Sequence, residues 1–268
     1  MPYLDQPQSP STTPLRANSL VEVYRKVFIS IPADTPELQD KAYRLRYQVY
    51  CVEREFEDPT QYPDGLERDA YDDHAVQALL LHRASRETVG TVRLVLHRRD
   101  VPTHALPFFA VCGDRLPPWV RLLPRETTAE LSRFAISKAF RQRAEDGAYG
   151  KSHGIGELDF DPRRVIPSLT LGLMTEALRL GTRHGVEHVC AIMEPSLLRL
   201  VARFGFHFEP VGRPVEYHGL RQPCYANVDA LIAGVEAERP DVWEVLTDRG
   251  RLWKPICKPV AEFVGGRR

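Results

Sequence analysis

The chain reads as an α/β or α+β protein, a sheet covered by helices. Three observations carry this. Strand-like and helix-like segments alternate along most of the 268 residues. Two apolar runs, 74–83 and 89–98, are joined by Ala84-Ser85-Arg86-Glu87-Thr88 in the manner of a hairpin. Ser168 to His184 holds apolar residues at helical spacing and leads into the apolar run His188 to Met193. Strands with helices between them in mixed order make such a layered architecture.

Residues 1–20 are rich in Pro, Ser, Thr and Gln and read as a mobile tail. Val21 to Ile31 alternates apolar and polar residues, which predicts a strand. Asp34-Thr35-Pro36 offers a helix start, and Leu38, Ala42, Leu45, Val49 and Val52 follow at helical spacing. Residues 53–73 hold nine Asp or Glu against Arg54 and Arg68, and Pro59, Pro63 and Gly65 make this stretch a loop. After the hairpin, residues 101–125 are punctuated by proline and hold one short helix. Residues 128–136 form a further strand. A glycine-containing polar loop covers 141–164. Pro195 to Phe204 is a second helix with proline near its start, and Gly205 to Val211 another strand. Residues 227–249 read as two short helices. The expected organisation is a tail over 1–20, one domain over 21–226 and a short helical extension over 227–268.

Composition narrows the function. Lys plus Arg equals Asp plus Glu, 36 against 36. A nucleic-acid binder usually shows a basic excess, so that class is disfavoured. Cys51, Cys112, Cys190, Cys224 and Cys257 are far apart and odd in number, as in a reducing compartment. No signal-type or membrane-spanning apolar segment is evident, so the expected location is cytoplasmic. The nine histidines lack metal-site spacing, and no metal is predicted. Gly147 to Ser152 ends like a phosphate-binding loop, but Glu145 stands where that pattern needs glycine. Ser132 and Ser168 lie in no nucleophile elbow.

Charged residues inside apolar strands are the informative feature. Glu130 and Arg133 lie three apart in Glu-Leu-Ser-Arg-Phe-Ala, and Arg93 lies in Gly-Thr-Val-Arg-Leu. Arg46 and the acids Glu67, Asp69 and Asp72 lie upstream. Alone, the acidic run would be a solvated loop. Charges within strands are costly unless paired or used, and together the set points to a site.

Arg46-Tyr47-Gln48-Val49-Tyr50, Phe56, Glu67, Asp69 and Asp72, followed by Arg93, Glu130 and Arg133, resemble the charged and aromatic pattern of acyl-homoserine-lactone synthases. Those enzymes belong to the GNAT-type acyltransferases. The resemblance spans about residues 22–225, with Tyr50 and Phe56 where the synthases typically carry Phe and Trp. The sequence is more similar still to acyltransferases associated with exosortase and PEP-CTERM systems, relatives of the N-acyl amino acid synthases. The resemblance implies a GNAT-type twisted mixed sheet flanked by helices, with strands four and five splayed around the pantetheine arm of an acyl thioester. The donor would be acyl carrier protein or acyl-CoA, and the acceptor a small amine or amino acid.

On that resemblance Glu130 would accept the amine proton, with Arg133 holding it ionised, and Glu67 would complete the catalytic group. Arg46, Asp69, Asp72, Arg93, Tyr50 and Phe56 would bind the acceptor. Phe134, Ala135 and Ile136 would offer backbone N–H groups to the thioester. Arg141, Gln142 and Arg143 at the start of the loop, with Ser168 at a helix N-terminus, would take phosphate. Leu169, Leu173, Met174, Ile192 and Phe204 would line an acyl tunnel or simply pack the core. In a regular strand Glu130 and Arg133 point to opposite faces, so their pairing requires a bulge within about 130–134. The lactone signal, N-acyl amino acid and acylated peptide all remain open as products, beside acetyl-CoA-dependent acetyl transfer and a non-catalytic binding module.

Overall fold

The computed structural model describes residues 20–98, 100, 106–145 and 165–252. The expected tail and most of the glycine loop lie outside the described residues. Among those described, eight strands form an open mixed sheet flanked by helices.

The first element corrects the sequence reading. Leu20–Val27 is a helix, α1, and only Phe28–Pro32 is strand, β1. Val21, Tyr24 and Phe28 are buried at helical spacing, and Glu22 pairs with Lys26 one turn on, at 2.6 Å. Thr35 caps α2 (Pro36–Tyr47) by accepting the Leu38 N–H. The helix then widens into a π-turn over Gln48–Glu53, where Arg54 N–H donates to Val49 O.

Strands β2 (Ala75–His82) and β3 (Thr88–Val95) form the expected hairpin, and β1 lines the outer edge of β2. β2 is buried on both faces, which explains its unbroken apolar run. Ala78 and Leu80 face one core with Phe28; Leu79 and Leu81 pack with Ala42 of α2 on the other. Where one short helix was expected there are two, α3 (Pro107–Cys112) and α4 (Pro118–Arg121), each opened by proline.

Strand β4 (Thr128–Ile136) runs antiparallel to β3 and parallel to β5 (His188–Met193). Pairing with β5 covers Thr128 to Leu131 only and ends at Leu131–Ala191. Beyond that point the two central strands splay, as the resemblance implied. The polar loop expected from 141 starts later, because α5 fills Lys138–Glu145. Ser137 accepts the Phe140 N–H and Glu53 the Lys138 N–H, and together they cap this helix.

The long helix α6 spans Val165–Arg183, starting three residues before Ser168. α7 (Pro195–Ala202) follows β5. The strand expected at Gly205–Val211 shrinks to β6 (Glu209–Pro210), while β7 (Val215–Glu216) and β8 (Leu220–Asn227) were not foreseen. Pro223 and the polar residues of β8 conceal a strand that nonetheless pairs along all of β5. The two expected terminal helices are α8 (Val228–Glu238) and α9 (Pro240–Leu246). Their Val228, Leu231, Val235 and Val245 join the same core as α6. No helix among the described residues is long and apolar enough to cross a membrane.

Gly172 lets α6 lie against α1 and β2. A β-carbon there would meet Tyr24 Cε2 at 2.7 Å and Leu80 Cδ1 at 2.8 Å, both on buried side chains. Gly172→Ala should therefore destabilise the fold by about 1–3 kcal/mol, overpacking outweighing the gain in helix propensity. Urea unfolding measures this, and a more stable variant would contradict the packing described.

Candidate active site

A cleft of about 350 Å³ opens where β4 and β5 part. Its back wall is a set of buried charges. Arg46 is 0% exposed and Arg93 1%, an expense that only close pairing offsets. Arg46 donates through Nε to Glu67 (2.5 Å) and holds Asp72 with both Nη atoms (2.7 and 2.9 Å). Arg93 Nη1 reaches Asp72 at 3.0 Å and Asp69 at 2.6 Å. Arg133 Nη2 reaches Asp69 at 3.0 Å and Glu67 at 2.9 Å. The six groups alternate in sign around a closed ring.

The local chain explains how they meet. Arg46 lies in the last turn of α2. The acidic segment is pinned beside it by Glu67 N–H donating to Tyr43 O, by buried Leu66 and by Gly65 in the left-handed region (φ 69°). Asp72 accepts the Asp69 N–H and Asp69 the Tyr71 N–H, so the carboxylates also fold their own loop. The loop is therefore not a solvated run pairing with surface arginines.

Arg133 owes its position to a bulge. Arg93 faces Ser132 and Thr91 faces Ala135, so Arg133 and Phe134 together oppose Val92 alone. Arg133 has φ 47°, a strained conformation for a residue with a β-carbon. The bulge falls at the end of the expected interval, but it does not join Arg133 to Glu130. The structure corrects that pairing: Arg133 bonds Glu67 and Asp69, and among the described residues it makes no ion pair with Glu130.

Glu130 stands outside the ring. It is 4% exposed, and its Oε2 accepts the Phe108 N–H of α3 at 2.5 Å. Burial dominates its ionisation and pushes the carboxyl up to about 7, against the Phe108 N–H and the more distant Arg93 and Arg133. The ring acids behave oppositely. Burial would raise Asp72 too, but its bonds to Arg46 and the charge of Arg93 hold it down to about 2. Glu67 and Asp69 are also lowered, the arginines again outweighing burial. The thiols keep their protons: burial pushes Cys112 up to about 12 and Cys51 to about 11, which disfavours a cysteine nucleophile.

Glu130, Arg133, Asp69, Arg93, Tyr50, Phe56, Phe134, Ile136 and Arg141 all line the cleft. Arg46, Glu67 and Asp72 lie behind it. Ala135 is buried outside the lining, and Ser168 lies fully buried within α6 instead of at its start. Arg141 and Arg143 belong to α5, not to a loop; the Arg143 side chain falls outside the described residues. Arg141 Nε is buried in the lining with no hydrogen-bond partner among the described residues. Of the expected tunnel residues Met174 and Ile192 line the cleft, while Leu169, Leu173 and Phe204 belong to the core. Sequence reasoning missed Glu57, Tyr71, Tyr217, His218 and Arg221, which also line it. The last three come from the β7–β8 hairpin, whose signal was Gly219 at its tip (φ 92°).

Known proteins share this fold. Residues 45–147 match the family described as acetyltransferase (GNAT) domain, a span that includes all of the ring, Glu130 and Arg141. Among solved structures, TofI in a ternary complex with an inhibitor and MTA is 22% identical, with TM-score 0.52, covering 77% of this chain and 96% of TofI. The CoA-dependent acyl-homoserine lactone synthase BjaI, with SAM and isopentyl-CoA, is 24% identical, with TM-score 0.51, covering 83% and 88%. FeeM, an N-acyl amino acid synthase from uncultured soil microbes, is 13% identical, with TM-score 0.52, covering 79% and 96%. No curated protein matches the chain significantly. Residues 45–147 are thus similar to a GNAT acetyltransferase domain, and the chain shares the fold of these solved structures.

Arg46→Met would leave Glu67 and Asp72 buried without their main cation. It should cost about 3–5 kcal/mol in urea unfolding, the usual penalty for breaking a buried pair from one side. Asp72 has a depressed folded pKa, so its contribution is full above its ordinary value of 3.8 and is lost as pH falls toward about 2. Wild-type stability should therefore drop steeply between about pH 4 and 2 in a pH series of unfolding curves.

Proposed function

We propose that the chain is an N-acyltransferase that moves an acyl group from a phosphopantetheine thioester to the amine of a small, amino-acid-like acceptor. The carrying observation is Glu130, a buried carboxyl that burial pushes up to about 7, one residue before the pairing of β4 with β5 ends. Aminolysis of a thioester needs a base that is ionised at neutral pH yet strong enough to take the proton that the amine nitrogen sheds as it attacks. An ordinary carboxylate is too weak; Glu130 is poised for it.

The reading places the donor arm between β4 and β5. Arg133 and Phe134 have no strand partner across the bulge, and the Phe134 N–H would take the thioester oxygen as negative charge develops there. The Arg141 guanidinium, whose Nε has no hydrogen-bond partner among the described residues, would take the arm's phosphate. Met174, Ile192, Leu197 and Leu200 supply the apolar lining for the acyl chain. The acceptor amine would sit between Glu130 and Asp69, which keeps 25% of its side chain exposed. The neutral amine attacks the carbonyl carbon, Glu130 takes the proton lost from nitrogen, the C–S bond breaks, and the proton passes to the departing sulfur, leaving an amide and a free thiol.

Coenzyme A and acyl carrier protein present the same arm, and both fit this reading. BjaI is CoA-dependent by its description. The sequence likeness to exosortase-associated acyltransferases supports an acceptor other than one that closes to a lactone. The family description supports a second reading, acetyl transfer. Thiol release across donors of two to about sixteen carbons, on CoA and on acyl carrier protein, separates the two. An amide product must appear with the thiol; thiol release with no amide would refute the proposal.

Glu130→Gln should lower kcat/KM by about 10²–10⁴-fold, and the wild-type kcat/KM should rise with pH through about 7. The same substitution should stabilise the protein. The folded pKa of Glu130 is raised, so wild-type folding loses free energy as pH rises from the ordinary 4.5 through about 7. At pH 8 Glu130→Gln should gain up to about 3 kcal/mol, vanishing near pH 4. Denaturant unfolding at both pH values tests this.

A further inference from the structure

Aromatic groups from two separate segments meet in the lining of the cleft. Phe56 follows the π-turn; His218 sits in the turn between β7 and β8. Their rings stack with centroids 5.3 Å apart and planes 26° from parallel. Tyr50 stacks on Phe56 as well, at 6.4 Å and 27°. Arg54 and Arg221 lie over the same ring, at 5.9 and 5.6 Å. The protein's own groups thus take up the surface that Phe56 would offer to a ligand.

His218 is held in this place. Its Nε2 lies 3.5 Å from Glu57 Oε1. Arg221 clamps the turn, donating to Tyr217 O at 2.7 Å and to His218 O at 3.1 Å. The clamp sustains φ 52° at His218, where a β-carbon is strained. The side chain is nevertheless 28% exposed and lines the cleft, within reach of a bound molecule.

We infer that His218 determines which acceptors enter. Its imidazole occupies the stacking place against Phe56 that a flat substituent on the acceptor amine would use. The protein therefore favours amines carrying compact, non-planar groups and rejects aromatic ones. This rests on the reading of the cleft as an acyl-transfer site, with the acceptor at the Phe56 end.

His218→Gly suits the left-handed backbone and empties the slot. The test compares kcat/KM for phenethylamine and L-phenylalanine with that for ethylamine and L-alanine, in wild type and variant. The ratio should shift toward the aromatic pair by about threefold to tenfold, the range one aromatic stack supplies. A ratio is insensitive to a general loss of activity. An unchanged ratio, or a wild type that already prefers the aromatic pair, would overturn the inference. His218→Asn, also tolerant of that backbone, serves if the glycine variant fails to fold. Binding of phenethylamine and ethylamine, followed by NMR without any donor, is the second readout. If wild type releases no thiol from any donor, the acyl-transfer reading fails. A gain of phenethylamine binding on His218→Gly would still uphold the slot, and no gain would refute it.

Discussion

The structure turns on a closed ring of six charges. Arg46, Glu67, Arg133, Asp69, Arg93 and Asp72 alternate in sign, and each touches its two neighbours. Three guanidiniums and three carboxylates sum to zero, the condition under which so many charges survive in a core. The members come from α2, the acidic loop, β3 and β4, so the ring joins the outer helix to the central strands. It also fixes the strain at Arg133. A regular β4 would turn that side chain to the opposite face and open the ring, leaving Glu67 and Asp69 short of a cation.

Ring neutrality explains why Glu130 is different. Arg93 and Arg133 lie close enough to bias Glu130 electrostatically, but their hydrogen bonds go to the ring and, from Arg93 Nε, to Ser132. The carboxyl is left with one backbone N–H and an apolar setting, and burial decides its ionisation. The fold thus makes two kinds of carboxylate within one core. Those in the ring stay charged at neutral pH and are structural. The one outside gains and loses a proton near neutrality, which suits proton transfer and opposes stability.

Much of this was legible in the sequence. Arg93, Glu130 and Arg133 stood out because they interrupt apolar strands, and a bulge was required as soon as one site was to hold both Glu130 and Arg133. The pairing itself was not legible, because alternation says which face a residue takes but not which of several acids it meets. Val21 to Val27 misled because a short amphipathic helix also alternates when its buried positions fall three and four apart. β8 was hidden by Pro223, although its pairing with β5 makes it central. With β8 went the hairpin that carries His218 and Arg221, so one whole wall of the cleft was missed. The start of α5 was missed because its cap comes partly from Glu53, which is remote in sequence and near only in the fold.

A saturated ring also constrains recognition. Before folding is considered, Glu67, Asp69 and Asp72 look like a site for an ammonium group. In the folded chain each already accepts from at least two cationic donors, and Glu67 is fully buried. An acceptor that paired with Glu67 or Asp72 would have to displace an arginine and strand it in the core, a cost that a single amine contact does not repay. Recognition therefore passes to groups at the ring's margin: the exposed edge of Asp69, Glu57 beside His218, and the guanidiniums of Arg141 and Arg221. On the proposed reading, chains could share the whole ring and still take different acceptors, because the ring fixes the bulge while the acidic loop's outer edge and the β7–β8 hairpin would do the selecting.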